Sequence, residues 1–309
     1  AVAAMEIPGL PPLLPYHRPV MQAEVLRWLS PAEGARAFDL TVGTAGHALA
    51  IGHYLGRSGL LVGLDADAQA LEVARERLAG AVPCPFKLLH TRFSRALEIM
   101  RELGLGGVGI VLADLGVGPQ LDDPARGFAF DSEARLDMRY DTSGGVSAWD
   151  VVNSTGEREL ADILYRYGEE RLSRQIAAAI CRQRAQGPID TPAQLSALIK
   201  RVAARRSAGR TWRIHPATRS ALAIRIYVND ELGELERLLE ILPRLLVPGG
   251  RAAILSYHSL EARRVKLTWR RQQQEGLIEV LTRKAIKPSE EEVRQNPRAR
   301  SAQMRVCAR

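Results

Sequence analysis

Apolar positions along the first 120 residues follow two alternating patterns, one typical of buried strands and one of amphipathic helices. Short apolar runs predict strands at 35–40, 60–65, 86–90 and 108–114. Helical spacing predicts helices at 20–29, 48–55, 68–78 and 94–103. Because strands that alternate with helices form βαβ units, the sequence predicts an α/β fold with a parallel, doubly wound sheet.

The pattern changes after Asp114. Residues 115–145 are rich in Gly, Asp and Pro and have no sustained period. Helices are then predicted at 149–152, 157–186, 191–204 and 230–246, and strands at 251–257, 277–283 and 302–308. A turn at Pro248-Gly249-Gly250 is expected to precede the first of these strands. We therefore expect a sheet domain formed by 1–118 and 230–309, with 119–229 as a mostly helical insert.

Carboxylates stand at or beside the ends of three predicted strands, at Asp39, Asp65 and Asp114. Ligands of such sheets bind at the carboxyl ends of the strands. A glycine-containing turn, residues 39–47, joins the first strand to a helix whose free N–H groups would face the ligand. Asp65 could accept both ribose hydroxyl protons, so the segment predicts a nucleoside cofactor.

The glycine spacing separates two classes of nucleoside cofactor. Nicotinamide dinucleotides favour G-x-G-x-x-G, with the pyrophosphate over the turn. Here the spacing is Gly43-x-x-Gly46, and Thr41 stands where a glycine would allow the closest approach. The turn favours a cofactor with a ribose and no phosphate, such as S-adenosylmethionine, and leaves a nicotinamide cofactor as the alternative.

Positive charge is unevenly distributed. The net charge is +8, and residues 200–229 contain eight Lys or Arg and no Asp or Glu. A second basic cluster consists of Arg263, Arg264, Lys266, Arg270 and Arg271. A single charge run is usually a solvated helix face, but two without neutralising acids favour contact with a phosphate backbone.

Cysteine usage and hydropathy limit the class of protein. The three cysteines, Cys84, Cys181 and Cys307, are far apart and odd in number, which argues against a disulfide framework and fits a reducing, cytoplasmic location. No His/Cys spacing indicates a metal site. No apolar run approaches the roughly 20 residues of a membrane span. Residues 1–19 lack a basic segment before an apolar core, so no secretory signal is expected.

Short motifs along nearly the whole chain resemble, in order, those of the bacterial ribosomal RNA cytosine-N4 methyltransferases. They are His17-Arg18-Pro19-Val20, Asp39-x-Thr41-x-Gly43-x-x-Gly46-His47, Gly63-Leu64-Asp65-Ala66-Asp67, Phe93-Ser94, Asp114-Leu115-Gly116-Val117 with Gln120-Leu121-Asp122, Arg126-Gly127-Phe128, Leu136-Asp137-Met138-Arg139, Tyr167-Gly168-Glu169-Glu170, His215-Pro216-Ala217-Thr218-Arg219, Val228-Asn229-Asp230-Glu231-Leu232, Ser256-Tyr257-His258-Ser259-Leu260-Glu261 and Asn296-Pro297-Arg298-Ala299-Arg300-Ser301-Ala302. Single motifs of this kind are weak, but their shared order is specific.

The resemblance implies a Rossmann-like class I methyltransferase sheet and a helical insert that recognises RNA. It implies methyl transfer from S-adenosylmethionine to the N4 amine of a cytidine in the decoding region of small-subunit (16S-type) ribosomal RNA. The small ribosomal subunit or its RNA would be the partner, and a homodimer stays open. The family's cofactor contacts fall here on Ala45, Gly46, His47, Asp65, Phe93, Asp114 and Gln120.

Two residues are predicted to act on the substrate. Asp114, or a carbonyl in 115–118, would accept a hydrogen bond from the cytosine amine and align it with the methyl group. His258 would meet the substrate. The target base must also leave any stack and enter a pocket. Aromatic candidates for that contact, each more simply explained by interior packing, are Phe128, Phe130, Trp212, Tyr227 and Tyr257.

The chain departs from the family pattern at four places. Ala45 replaces a glycine, and alanine needs a negative φ there to be comfortable. The loop at Gly118-Pro119 is one residue shorter than in the family pattern. The aromatic residue that the family pattern has near Ser220 is absent here. Ala262 replaces an aspartate of that pattern. These changes motivate an alternative: an RNA-binding paralogue of the same fold with lost or altered methyltransferase activity.

Overall fold

The computed structural model describes residues 18–116, 118, 123–207, 212 and 214–309. These residues form two compact units. The described parts of 1–119 and 232–309 make up the first unit, and the described parts of 120–231 make up the second. We call them the sheet unit and the helical unit.

The sheet unit contains a seven-stranded sheet. Its strands are β1 (Arg36–Asp39), β2 (Leu60–Asp65), β3 (Phe86–His90), β4 (Val108–Asp114), β5 (Leu246–Ser256), β6 (Glu279–Val280) and β7 (Gln303–Ala308). Their order is β3-β2-β1-β4-β5-β7-β6. The first five are parallel, and β7 runs antiparallel to both β5 and β6. The strand order reverses between β1 and β4, so the predicted doubly wound α/β fold is confirmed.

The α-helices, in chain order, are α1 (Gln22–Leu29), α2 (Gly46–Leu55), α3 (Ala68–Leu78), α4 (Ala96–Glu102), α5 (Ala148–Ser154), α6 (Glu157–Gly168), α7 (Ser173–Arg184), α8 (Pro192–Ser207), α9 (Thr218–Asn229), α10 (Glu231–Leu245), α11 (Ser259–Gln274) and α12 (Glu290–Gln295). Residues of α1, α2 and α3 share one core with one face of the sheet. Residues of α4, α10 and α11 share a second core with the other face.

The two cores explain the unbroken apolar runs of β2 and β4. Leu61 of β2 belongs to the first core, whereas Val62 and Leu64 belong to the second. Because successive side chains of a strand point to opposite faces, a strand covered by helices on both sides needs an unbroken apolar run. The run stops where the strand leaves the cores, and the polar Asp65 stands at that point.

The helical unit has its own core and differs from the sequence prediction in two ways. The single helix predicted at 157–186 is two helices, α6 and α7, because Glu169 takes a left-handed conformation with φ 50°. A Cβ on Gly168 would lie 2.3 Å from the Arg219 carbonyl oxygen, so the chain ends α6 at a close backbone contact. Helix α9 was not predicted, since its buried positions include the polar Ser220 and Asn229.

Within the sheet, β5 starts at Leu246 rather than at the predicted residue 251. The Pro248-Gly249-Gly250 segment, predicted to be a turn before the strand, lies inside it. It coincides with a register shift opposite β4, between Val108 and Ile110. Within the described ranges, no helix is long and apolar enough to cross a bilayer.

Candidate active site

Three carboxylates meet at the carboxyl edge of the sheet. Asp65, Asp39 and Asp114 come from the ends of β2, β1 and β4, which are neighbours in the sheet. Burial raises the pKa of Asp39 to about 7, although His47 and the Thr41 N–H favour its charged form. The charges of Asp114 and Asp65 push this pKa in the same direction as burial. The edge is therefore a concentrated acidic site with little solvent.

Asp65 is held by the turn that follows β1. The Gly43 N–H donates to Asp65 Oδ2 at 2.8 Å, and the Asp67 N–H donates to Oδ1 at 2.9 Å. Burial nevertheless raises the pKa of Asp65 to about 6. Each carboxylate oxygen has a further lone pair, so Asp65 can still accept two hydroxyl protons in a fixed orientation.

The start of α2 is shaped by two small residues. Ala45 precedes the helix with φ 66° and ψ 26°, and so lacks the negative φ that alanine needs to be comfortable. The left-handed conformation is costly for any residue with a Cβ. A Cβ on Gly46 would lie only 2.7 Å from Pro19 Cγ, which explains the glycine. No side chain caps this end of α2, so its first N–H groups are open to a ligand.

His47, in the first turn of α2, has a buried ring. Neither ring nitrogen has a hydrogen-bond partner within the described part of the chain. Nε2 lies 3.6 Å from Asp114 Oδ2, beyond hydrogen-bond distance. Because buried polar groups are normally paired, the ring is suited to receive a partner from a bound ligand.

Asp114 is positioned by two hydrogen bonds. Its N–H donates to Thr41 Oγ1 at 2.7 Å, and its Oδ1 accepts the Tyr257 hydroxyl proton at 2.7 Å. Burial, together with the nearby Asp114, raises the pKa of Tyr257 well above its ordinary value, so the phenol remains a donor. A Cβ on Gly116 would lie 2.7 Å from Tyr257 Cε2, so glycine is what lets the ring approach.

Sequence reasoning missed the contact between Tyr257 and Asp114, because it treated Tyr257 as an interior aromatic or a stacking candidate. The available signal was topological. Tyr257 follows β5 directly, and Asp114 ends β4 opposite Leu255. Residues just beyond the ends of adjacent parallel strands reach the same edge of the sheet.

The remaining predicted site residues are Phe93, Gln120 and His258. Phe93 begins a 3₁₀ turn, Phe93–Arg95, after β3, and its partly buried ring packs against the second core. Gln120 lies outside the described residues. His258 precedes α11, with its Nε2 3.2 Å from Glu261 Oε1, while Glu261 Oε2 accepts the Tyr257 N–H at 2.8 Å.

The aromatic stacking candidates have different environments. Phe128 is buried and stacks on Tyr140, which agrees with interior packing. Trp212 and Tyr227 are exposed. Phe130 stacks on His215, whose Nδ1 accepts the Ala217 N–H just before α9.

The second basic cluster was expected to lack neutralising acids, and this expectation is wrong. Arg264 Nε lies 2.6 Å from Glu236 Oε1, and Arg271 pairs with Glu240. Both carboxylates belong to α10, one helical turn apart on the face that meets α11. Since these pairs offset the charge of two of the five cations, the cluster supports phosphate binding less than the sequence indicated.

The strand order and the acidic carboxyl edge define a Rossmann-like protein built to hold a nucleoside cofactor. The MraW methylase family matches residues 15–309, and the chain belongs to this family. It is a methyltransferase dependent on S-adenosylmethionine. The family assignment agrees with the resemblance that the motifs indicated and removes the nicotinamide alternative.

Relatives with assigned functions match almost the full chain. Proteins named "Ribosomal RNA small subunit methyltransferase H" match from Acidobacterium capsulatum (44% identity, covering 94% of this chain and 97% of the relative) and Koribacter versatilis (45%, covering 95% and 94%). The protein of the same name from Geobacter sulfurreducens is 45% identical, covering 94% of this chain and 98% of the relative.

The residues at the sheet edge fit S-adenosylmethionine. His47 has two buried ring nitrogens with no partner among the described residues, the first amides of α2 lack a side-chain cap, and Asp65 retains accepting capacity. The donor amides of α2 suit the methionine carboxylate, the His47 ring suits another polar group of the methionine moiety, and Asp65 suits a pair of ribose hydroxyls. The cofactor, when bound, supplies an electrophilic methyl group on a sulfonium centre.

Proposed function

We propose that this protein transfers a methyl group from S-adenosylmethionine to the exocyclic N4 amine of a cytidine in the decoding region of small-subunit ribosomal RNA. Membership of a methylase family along nearly the whole chain supports the reaction class. The names of the relatives support the RNA substrate. The single observation that carries the proposal is the restrained carboxylate of Asp114 at the end of β4.

The cytosine amine needs help to react, because its lone pair is delocalised into the ring. Asp114 Oδ1 is occupied by the Tyr257 hydroxyl, whereas Oδ2 has no hydrogen bond to His47 at 3.6 Å. We assign Oδ2 as the acceptor for an amine N–H. Accepting that hydrogen bond favours a pyramidal nitrogen and orients its lone pair toward the methyl carbon.

The methyl transfer needs no strong base. A bond forms between N4 and the methyl carbon as the carbon–sulfur bond breaks, and the sulfur keeps the electron pair. The alkylated nitrogen is then acidic, and one of its protons passes to Asp114 or to water. The products are the N4-methylated cytidine and S-adenosylhomocysteine.

We assign the remaining site residues as follows. Asp65 would hold the ribose, Phe93 would pack on the adenine, and Ala45, Gly46 and His47 would face the methionine moiety. Gln120 is retained as a cofactor contact and His258 as a substrate contact, both on the family resemblance. The helical unit would recognise the RNA, which is favoured by its exposed Lys200, Arg201 and Arg205, none of them paired with an acid among the described residues.

The test is transfer of labelled methyl from S-adenosylmethionine to small-subunit RNA or subunits, followed by mass identification of the nucleoside. We expect N4-methylcytidine. Failure to label any RNA, together with tight RNA binding and no cofactor binding by calorimetry, would instead establish the paralogue without activity. We also expect a cytoplasmic protein. A homodimer remains a prediction that sedimentation velocity checks.

A further inference from the structure

The helical unit contains a pair of stacked rings that the cofactor site does not use. The rings of Phe130 and His215 lie with centroids 4.4 Å apart and planes 11° from parallel. Both side chains are only partly buried. The two residues are far apart in sequence, and Phe130 packs at the edge of the core that Phe128 and Leu136 help to form.

A hydrogen bond fixes the orientation and tautomer of His215. The Ala217 N–H donates to Nδ1 at 3.2 Å, so in the neutral ring the proton is on Nε2. Burial and the nearby Lys200 lower the pKa of His215, which favours this neutral form. Nε2 has no acceptor among the described residues. The ring therefore offers a π-face and one outward donor.

The residues around this pair have a consistent chemistry. Trp212 is 46% exposed and Ile214 is 57% exposed, and both lie just before His215 in the chain. On α8, Lys200, Arg201 and Arg205 are exposed, and no carboxylate pairs with them in the ranges that the structure describes. Exposed aromatic side chains and unpaired cations suit single-stranded nucleic acid, whose bases stack on rings and whose phosphates attract cations.

We propose that the Phe130–His215 pair is a stacking platform for one base of single-stranded RNA, with Lys200 neutralising a neighbouring phosphate. This rests on the proposed function, because it names the surface that would hold the RNA substrate. Stacking on an aromatic face tolerates any base, since every base has a π-face. The platform would therefore contribute affinity and position, and leave recognition of cytidine to the methyl-transfer site.

The experiment scans a single-stranded RNA of about twelve nucleotides, copied from the methylated segment, with 2-aminopurine at one position at a time. The full chain is compared with Phe130→Leu, Phe130→Tyr and Lys200→Ala. Tyr165→Leu removes a 63% exposed aromatic elsewhere in the helical unit and is the matched control. Circular dichroism and cofactor calorimetry check that each variant is folded.

We expect 2-aminopurine fluorescence to be quenched at one position by the unaltered protein, by Phe130→Tyr and by Tyr165→Leu, but not by Phe130→Leu. Phe130→Leu should weaken RNA binding about tenfold without changing the slope of log affinity against log salt. Lys200→Ala should reduce that slope by about one.

Equal quenching and equal affinity for Phe130→Leu and the unaltered protein would overturn the platform. So would a loss of affinity in Phe130→Leu that Phe130→Tyr fails to restore. The proposed function fails differently: quenching that depends on Phe130, with no methyl transfer to any cytidine, would contradict the methyltransferase assignment and leave the platform standing.

Discussion

The carboxyl edge of the sheet and the stacked-ring surface of the helical unit are built in different ways. At the sheet edge, polar groups are buried and fixed by short hydrogen bonds, as with the 2.7 Å contact from Tyr257 to Asp114. On the helical unit, rings and cations remain partly or fully exposed, and Lys200 has no acid partner among the described residues. The first arrangement suits a small ligand that must be held rigidly, and the second suits a long, flexible anion.

The largest effect is expected from Asp114→Ala. Removing the proposed amine acceptor should lower the turnover number about 100- to 1,000-fold, a magnitude typical of losing one preorganised polar group. Labelled methyl transfer at saturating RNA measures it. Glu102→Ala, an exposed carboxylate of α4, is the control and should keep full activity. Turnover in Asp114→Ala within tenfold of the unaltered protein would remove Asp114 from the mechanism.

The sequence predicted the sheet edge well because its signals are local. The bounds of β2, β3 and β4 agree with the predicted runs, and each apolar run ends where the strand leaves the two cores. Asp65 and Asp114 could therefore be located from the sequence alone. The role of Tyr257 could not, because it depends on the pairing of β5 with β4 and on the missing Cβ of Gly116.

The helical unit was less predictable because its key contacts join distant segments. The contact of Phe130 with His215 has no periodicity that could reveal it. Helix α9 was missed because buried polar residues interrupt its apolar face, and their partners are set by tertiary structure. The left-handed φ of Ala45 also opposes the local preference of alanine, so only the structure could reveal it.

A mutation in the helical unit should lower the free energy of unfolding and leave the cofactor affinity of the sheet unit unchanged. Asn229 is buried and accepts the Tyr140 N–H at 2.8 Å, and it donates to the Met138 and Arg225 carbonyls at 2.8 and 2.9 Å. Asn229→Ala should cost about 2–3 kcal/mol of unfolding free energy, because it leaves buried backbone groups unpaired. Urea denaturation measures this cost.

The same variant should bind S-adenosylmethionine with an unchanged dissociation constant, since the proposed cofactor residues within the described ranges lie in the sheet unit. Asp162→Ala, which replaces an exposed side chain in the middle of α6, is the control, with a cost under about 0.5 kcal/mol. If Asn229→Ala abolished cofactor binding in a folded protein, the division of roles between the units would be wrong.

The affinity for S-adenosylmethionine should depend on pH through Asp65. The carboxylate must be ionised to accept two hydroxyl protons, and its pKa is raised to about 6. The dissociation constant should therefore rise about tenfold for each unit below pH 6 and stay flat above pH 7. Calorimetry from pH 5 to 8 measures this. Asp65→Asn should bind weakly at every pH; a retained pH dependence would assign the titration to another group.

The carboxylates at the sheet edge should also make the free energy of unfolding depend on pH in the absence of ligand. The pKa of Asp39 in the folded protein, about 7, lies above its unfolded value. The folded state therefore binds more protons, and this carboxyl makes stability fall as pH rises from about 4 to 7. Asp39→Asn should consequently gain more stability at pH 8 than at pH 5, as measured by urea denaturation. An equal change at both pH values would contradict the assigned titration.

The smallest effect is expected from Ala45→Gly. Alanine is strained at φ 66°, so glycine should stabilise the fold by about 0.5–1 kcal/mol after its greater chain entropy is counted. Chemical denaturation measures the gain. Ala79→Gly, at φ −59°, is the control and should be neutral or destabilising. A destabilised Ala45→Gly would show that the turn adopts another conformation.

The most direct test of the central claim is nucleoside mass spectrometry of small-subunit ribosomal RNA from cells with and without this protein. We expect N4-methylated cytidine to fall when the protein is removed. It should return with the unaltered chain and not with Asp114→Ala. An unchanged level of N4-methylated cytidine after removal, or full restoration by Asp114→Ala, would contradict it.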